Sequence, residues 1–131
     1  MILVAGYTGT RKSTYVHHIL NENLCRGQRI AYCSLKDHPL EVCYEIIAEA
    51  ALINSYKIRS GYLSEQEVQK IGMSKVAEQS KNLGVLPPDK STNTGDIIEV
   101  VENSGAEIVV IDDLNGLLLD NMEIERFMYQ L

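Results

Sequence analysis

The stretch MILVAGYTGTRKSTYVHHIL, residues 1–20, decides how the rest of the chain is interpreted. Residues 2–6 are apolar and partly β-branched, a pattern that predicts a short buried strand ending at Gly6. Apolar residues then recur at helical spacing over residues 13–24, and Gly27 follows as a stop signal. The stretch is therefore predicted to be a strand, a tight loop and a helix.

The loop between these two elements, GYTGTRKST, nearly matches the phosphate-binding pattern G-x-x-x-x-G-K-[ST]. Arg11 stands where that pattern has its second glycine, which is favoured there because it tolerates positive φ. A β-carbon costs about 1–2 kcal/mol if the backbone stays left-handed, whereas a guanidinium attracts phosphate. The alternative interpretation is a basic turn that joins a strand and a helix by chance.

If the loop binds phosphate, its backbone N–H groups form an anion nest and the first turn of the helix adds its positive dipole end. Lys12 is then expected to reach the β- and γ-phosphates, and the Ser13 hydroxyl to bind Mg²⁺. The predicted ligand-binding residues are Gly6, Thr8, Gly9, Thr10, Arg11, Lys12, Ser13 and Thr14.

A second segment, AEIVVIDDLNG, strengthens this interpretation. Residues 107–112 form the clearest predicted buried strand, and it ends in two aspartates. In the Walker B arrangement such a strand delivers a carboxylate that holds Mg²⁺ through water. A core strand followed by a turn-forming Asp pair is the alternative. Since both elements occur in the right order, they predict a phosphate-loop nucleotide-binding fold together.

Length and composition agree with one globular domain. The chain has 131 residues and a formal net charge of −6, which argues against a self-sufficient nucleic-acid binder. It has no apolar run of membrane-spanning length and no signal peptide, so a cytoplasmic location and no membrane contact are expected. Its three cysteines have no C-x-x-C spacing and are predicted to be reduced thiols.

The remaining chain alternates strands and helices. After a strand at residues 29–34, Pro39 lies in the first turn of a predicted helix, and Ser64 with Glu67 forms a capping box. Between these two helices, residues 54–62 are predicted to lack helix. Further predictions are a helix from residue 64 to about 83, a short strand within residues 84–95, a helix from Thr94 or Asp96, and a last helix containing Phe127 and Met128. This order predicts an α/β layered domain with a mostly parallel sheet.

The chain resembles the RecA-like ATPase domain of the replicative hexameric DNA helicases, the DnaB family. The resemblance is carried by the two Walker elements and by two further stretches. Residues 29–67, RIAYCSLKDHPLEVCYEIIAEAALINSYKIRSGYLSEQE, are similar to the family's strand, helix and R-x-G-x-L-[ST] segment. Residues 85–117, VLPPDKSTNTGDIIEVVENSGAEIVVIDDLNGL, are similar to its short strand, helix and Walker B strand. RecA-type recombinases and KaiC-like ATPases share this core.

The resemblance implies a P-loop NTPase fold, a RecA-like three-layer sandwich in which residues 1–131 form a single domain, truncated at its C-terminal end. It implies ATP and Mg²⁺ as ligands, with Lys12 on phosphate and with Ser13 and Asp112 on the metal. Lys36 occupies the place of the family's catalytic glutamate, and a lysine ammonium is a poor base for water. Asp113 is then the candidate catalytic carboxylate, since it directly follows the magnesium aspartate.

In the family's sheet, a strand that follows Walker B lies between the two Walker strands. Without it those strands pair directly, the sheet order is rearranged, or another chain fills the gap. The first hypothesis is therefore an ATP-binding, helicase-like domain with impaired hydrolysis on its own. The second is a non-catalytic regulatory or interaction module. Expected partners are the nucleotide and a homo-oligomer or a partner helicase chain, with DNA only in a larger assembly. A small phosphotransferase is a weaker third option.

Overall fold

The computed structural model describes residues 2–7, 9–87 and 94–114. Within this part of the chain the strands are β1 (Ile30–Ser34), β2 (Leu83–Leu86) and β3 (Ile108–Asp112). The helices are α1 (Lys12–Cys25), α2 (Pro39–Ala51), α3 (Ser55–Ser60), α4 (Glu65–Gly72), α5 (Lys75–Glu78) and α6 (Thr94–Ser104), with a 3-10 turn at Ser80–Asn82.

The three strands form a parallel sheet in the order β2-β1-β3. Ile30 is paired with Leu83 on one side and with Ile108 on the other, and Ser34 is paired with Asp112. The carboxyl ends of β1 and β3 therefore lie at the same edge of the sheet. The predicted α/β class with a parallel sheet is confirmed, as is the short strand expected after residue 83.

Helices cover both faces of the sheet. On one face, side chains of α1 and α2 pack with Ile30 and Tyr32 of β1. On the other face, Cys33 packs against Ile97 of α6. Successive β1 side chains alternate between these two clusters, as strand geometry requires. The described residues thus form three layers, helix–sheet–helix.

The helix starts follow local capping chemistry. The α2 helix has Pro39 in its first turn, and Nδ1 of His38 accepts a hydrogen bond from the Leu40 N–H at 3.3 Å. The predicted capping box of α4 is present, because the Ser64 hydroxyl accepts from the Glu67 N–H and the Glu67 carboxylate accepts from the Ser64 N–H.

Two predicted boundaries were wrong. The segment expected to lack helix contains α3, because Asn54 caps its first turn and Gly61 ends it in the left-handed region. The single helix predicted from Ser64 to about residue 83 is divided into α4, α5 and a 3-10 turn. The division occurs because the Ser74 hydroxyl accepts from the Ala77 N–H and starts a new helix.

The predicted strand at residues 2–6 is also wrong. This segment has no strand pairing, and its side chains at Ile2 and Leu3 are 85% and 66% exposed. In the described part of the chain, β3 pairs with β1 alone, so residues 2–6 do not pair directly with it. An apolar sequence becomes a strand only where a neighbour satisfies its backbone groups.

Some predictions fall outside the described residues. They concern Thr8 of the loop and the final helix that contains Phe127 and Met128.

Among the residues described, no helix is long and apolar enough to cross a membrane. All three cysteines are free; Cys33 is buried and its burial raises the pKa of the thiol to about 11.

Candidate functional site

The loop before α1 is closed by short-range hydrogen bonds. The Thr10 hydroxyl donates to the Tyr7 carbonyl at 2.7 Å, and the Thr10 N–H donates to the same oxygen at 3.3 Å. A β-carbon placed on Gly6 would lie 2.8 Å from the Thr10 hydroxyl oxygen, which is closer than packing allows. A larger residue at position 6 would therefore force the Thr10 hydroxyl to move.

Arg11 adopts the conformation that the phosphate-loop pattern reserves for glycine. Its φ of 59° and ψ of 37° place it in the left-handed region immediately before α1. Its carbonyl oxygen accepts from the Tyr15 N–H at 3.1 Å, so the helix starts on this strained residue. The residue therefore carries a β-carbon in the left-handed region, where the expected cost of about 1–2 kcal/mol applies.

Lys12 folds back over the loop. Its Nζ donates to the Gly6 carbonyl at 2.8 Å and to the Tyr7 carbonyl at 3.1 Å. Ser13 is half-buried and Thr14 is exposed in the first turn of α1. That turn has no acidic residue and no side-chain cap, so no side chain of the turn itself neutralises its N–H groups and its positive dipole end.

Asp112 ends β3 on the face of the sheet that α1 covers. Its Oδ2 accepts a hydrogen bond of 2.7 Å from the Tyr32 hydroxyl. Burial and this bond to the Asp112 carboxylate raise the pKa of Tyr32 far above its usual value, so the phenol stays protonated. The peptide between Asp112 and Asp113 is cis, and Asp113 is half-buried.

His17 of α1 contacts the tyrosine that holds this carboxylate. Its Nε2 lies 3.4 Å from the Tyr32 hydroxyl, and the two rings are 5.9 Å apart between centroids. Burial lowers the pKa of His17, although nearby carboxylates, Asp112 first among them, partly oppose that shift. Of the two neighbouring histidines, His17 is buried and His18 is exposed. The contact with Tyr32 was not predicted.

Lys36 lies in the turn that follows β1, at the same sheet edge as Asp112 and Asp113. The Ser34 hydroxyl closes this turn: it accepts from the Asp37 N–H at 3.0 Å and donates to the Asp37 carbonyl. The Lys36 side chain is exposed. A cation thus stands near the carboxyl ends of the strands.

The predicted site residues form two groups. Gly6, Thr10, Arg11 and Lys12 lie in one continuous loop, whereas Asp112 lies at the sheet edge. No hydrogen bond joins the described loop residues to Asp112 or Asp113; α1 connects the groups instead, because it starts at Lys12 and carries His17. The described residues include no group of three or more His, Cys, Asp or Glu side chains that could hold a metal ion.

Comparison with known proteins gives two distant relatives. A UPF0273 protein of Aeropyrum pernix is 23% identical over 126 residues, which is 96% of this chain and 50% of the relative. A UPF0273 protein of Methanopyrus kandleri is 24% identical over 125 residues, 95% of this chain and 49% of the relative. No family model matches the chain.

Both alignments cover a much larger share of this chain than of the relative. They cover nearly the whole of this chain, including both the loop and β3, but the chain spans about half the length of the curated relatives it matches. The relatives' names state no activity. The similarity therefore extends over the complete α/β arrangement described above, and this chain is distantly similar to UPF0273 proteins.

Proposed function

We propose that this chain is a phosphate-loop nucleotide-binding domain that binds ATP together with Mg²⁺. The observation that carries the proposal is the left-handed backbone of Arg11 beside Lys12. This is the backbone geometry that the phosphate-loop pattern provides with glycine, and here it is retained although it costs strain. Retained strain at a loop is typical of a functional constraint.

The loop residues supply the phosphate contacts in this proposal. Lys12 exchanges its bonds to the loop carbonyls for bonds to the β- and γ-phosphates, and Arg11 adds a second cation. The N–H groups of the first turn of α1 bind phosphate oxygens. Gly6, Thr8, Gly9, Thr10 and Thr14 complete the loop.

The donor set suits Mg²⁺. Magnesium is usually held by one or two carboxylates together with substrate phosphates and waters, and not by an all-protein cage. The Ser13 hydroxyl and the Asp112 carboxylate match this usual set of protein ligands. When bound, the ion neutralises charge on the phosphates. Asp112 accepts from Tyr32 in the structure, so its carboxylate has a defined orientation.

Hydrolysis by the isolated chain is expected to be slow. Lys36 stands where the resembling helicases have the glutamate that activates water, and its ammonium cannot take up a proton. Asp113 is the carboxylate proposed to orient water instead. The exposed Lys36 is also the observation that favours the second candidate function, a non-catalytic helicase-like regulatory or interaction module that binds the nucleotide without turning it over.

Assembly with further protein forms part of the proposal. In the described residues the outer edge of β3 pairs with no strand, and such an edge is a template for pairing with additional chain. A homo-oligomer or a partner helicase chain could supply it. DNA unwinding would belong to such an assembly, which remains a prediction of the DnaB resemblance.

The deciding experiment is calorimetric titration of Mg-ATP into the purified chain, into Lys12→Ala and into Lys70→Ala. Lys70 is an exposed lysine at the end of α4, so Lys70→Ala removes the same charge as Lys12→Ala but outside the loop. Saturable binding that is lost in Lys12→Ala and kept in Lys70→Ala supports the proposal. Absence of binding by the unaltered chain would overturn it.

A further inference from the structure

The side chain of Tyr32 contacts Asp112 at the end of β3 and His17 of α1. Tyr32 lies in the middle of β1, is 1% exposed and packs in the core between the sheet and the helices α1 and α2. Its hydroxyl donates to Oδ2 of Asp112 at 2.7 Å. A buried hydroxyl with this partner is oriented by the protein, because water cannot easily take its place.

The hydroxyl has a second polar neighbour, which comes from α1. Nε2 of His17 lies 3.4 Å from it, and His17 is 6% exposed. Since the phenol proton is directed to Asp112, the compatible arrangement has the His17 Nε2–H donating to the phenol oxygen. The three side chains thus form a chain of contacts from α1, which starts at Lys12, to the end of β3.

Such a hydrogen bond can orient a carboxylate that binds a metal, although its donor does not bind the metal itself. A carboxylate that serves a metal needs a fixed rotamer, and a hydrogen bond to one of its oxygens fixes it while the other oxygen remains for the ion or its water. The bond joins residues 80 positions apart in sequence, so it also ties the end of β3 to the neighbouring strand.

We propose that Tyr32, supported by His17, is a positioning residue that orients the Asp112 carboxylate for the metal of a bound metal–nucleotide complex. Oδ2 is engaged by the phenol, and Oδ1 would be the oxygen available to the ion when it is bound. This inference rests on the function proposed above. Neither residue belongs to the phosphate loop or to the Walker B strand.

The test separates metal-dependent binding from binding of the nucleotide itself. ATP is titrated into each protein once with excess Mg²⁺ and once with EDTA, and the ratio of the two dissociation constants is compared. Tyr32→Phe keeps the ring and removes the hydroxyl, and is expected to reduce the Mg²⁺-dependent gain in affinity by about tenfold or more. The affinity measured in EDTA should not change.

Tyr44→Phe is the matched control, because Tyr44 is a half-buried tyrosine of α2 and should leave both affinities unchanged. His17→Phe is a second variant, for which a smaller loss of the same Mg²⁺ dependence is expected. In an Asp112→Ala background, Tyr32→Phe should have no further effect on that dependence.

Three outcomes would overturn the inference. An equal loss of affinity with Mg²⁺ and in EDTA indicates that Tyr32 has a structural role only. An unchanged Mg²⁺ dependence in both Tyr32→Phe and His17→Phe indicates no role. Absence of Mg-ATP binding by the unaltered chain overturns the proposed function and this inference together, so the two failures are distinguishable.

Discussion

The Nζ atom of Lys12 lies 2.8 Å from the carbonyl oxygen of Gly6, six residues earlier in the chain. The lysine that begins α1 is therefore held by the first residue of its own loop. Gly6 in turn leaves room for the Thr10 hydroxyl, because a β-carbon there would meet that oxygen at 2.8 Å. The position of the cation and the shape of the turn depend on one another.

Replacing Gly6 by alanine should disturb this arrangement. The added β-carbon forces the Thr10 hydroxyl to move and weakens its bond to the Tyr7 carbonyl, and losing such a hydrogen bond costs roughly 0.5–1.5 kcal/mol. The measurement is the free energy of unfolding in urea, together with Mg-ATP affinity, which should fall. Gly72→Ala is the control, because nothing lies within 4 Å of its added β-carbon. Equal stability of the two variants would contradict the prediction.

The strain at Arg11 can be separated from its charge. Arg11→Gly and Arg11→Ala both remove the guanidinium, but only alanine keeps a β-carbon at φ 59°. The glycine variant is expected to be more stable than the alanine variant by about 1 kcal/mol. Urea unfolding of the pair measures the difference. If alanine were as stable as glycine, the left-handed conformation would carry no strain. If both variants bound the nucleotide more weakly than the unaltered chain, the loss would measure the contribution of the guanidinium charge.

Placing a carboxylate at position 36 should raise the rate of ATP hydrolysis. Lys36 lies in the turn after β1, at the sheet edge shared with Asp112, and general-base catalysis contributes roughly 10²–10⁴-fold. We expect Lys36→Glu to increase the rate of phosphate release from ATP by at least about tenfold over the unaltered chain. Lys36→Gln removes the charge without adding a base, so an equal increase in that variant would refute the assignment.

Glu67 makes stability depend on acid pH. Its carboxylate accepts from the Lys57 ammonium at 2.7 Å and from the Ser64 N–H at 2.9 Å, and these bonds lower its pKa from 4.5 to about 2. A depressed folded-state pKa stabilises the fold above 4.5, and this stabilisation is lost as the pH falls towards 2. Glu67→Gln should therefore be less stable at neutral pH, with the difference narrowing below pH 4.5.

This pH prediction is checked by urea unfolding of both proteins at several pH values between neutral and about pH 3. Glu65→Gln removes a charge from the same first turn of α4 and is the matched control. If the difference in unfolding free energy between the unaltered protein and Glu67→Gln stayed constant with pH, the hydrogen bonds of the Glu67 carboxylate would not be its cause.

The sequence by itself determined the elements whose cause is local. A β-branched run predicted β3 and a short, mainly apolar segment predicted β1, whereas capping residues predicted the starts of α2 and α4. It also predicted that Asp112 stands at the carboxyl end of a strand, since that depends only on where an apolar run stops. The position of Lys12 at the start of α1 followed from the same local reasoning.

Only the tertiary structure decided which apolar segments pair and which side chains meet. Residues 2–6 have the composition of a strand yet lie outside the sheet, because a strand exists only where a neighbour takes up its N–H and C=O groups. The contact between Tyr32 and Asp112 follows from the register of β1 against β3, which sets two side chains on one face although 80 positions separate them. Neither pairing nor register is encoded by the local pattern, and both depend on what the rest of the chain packs against.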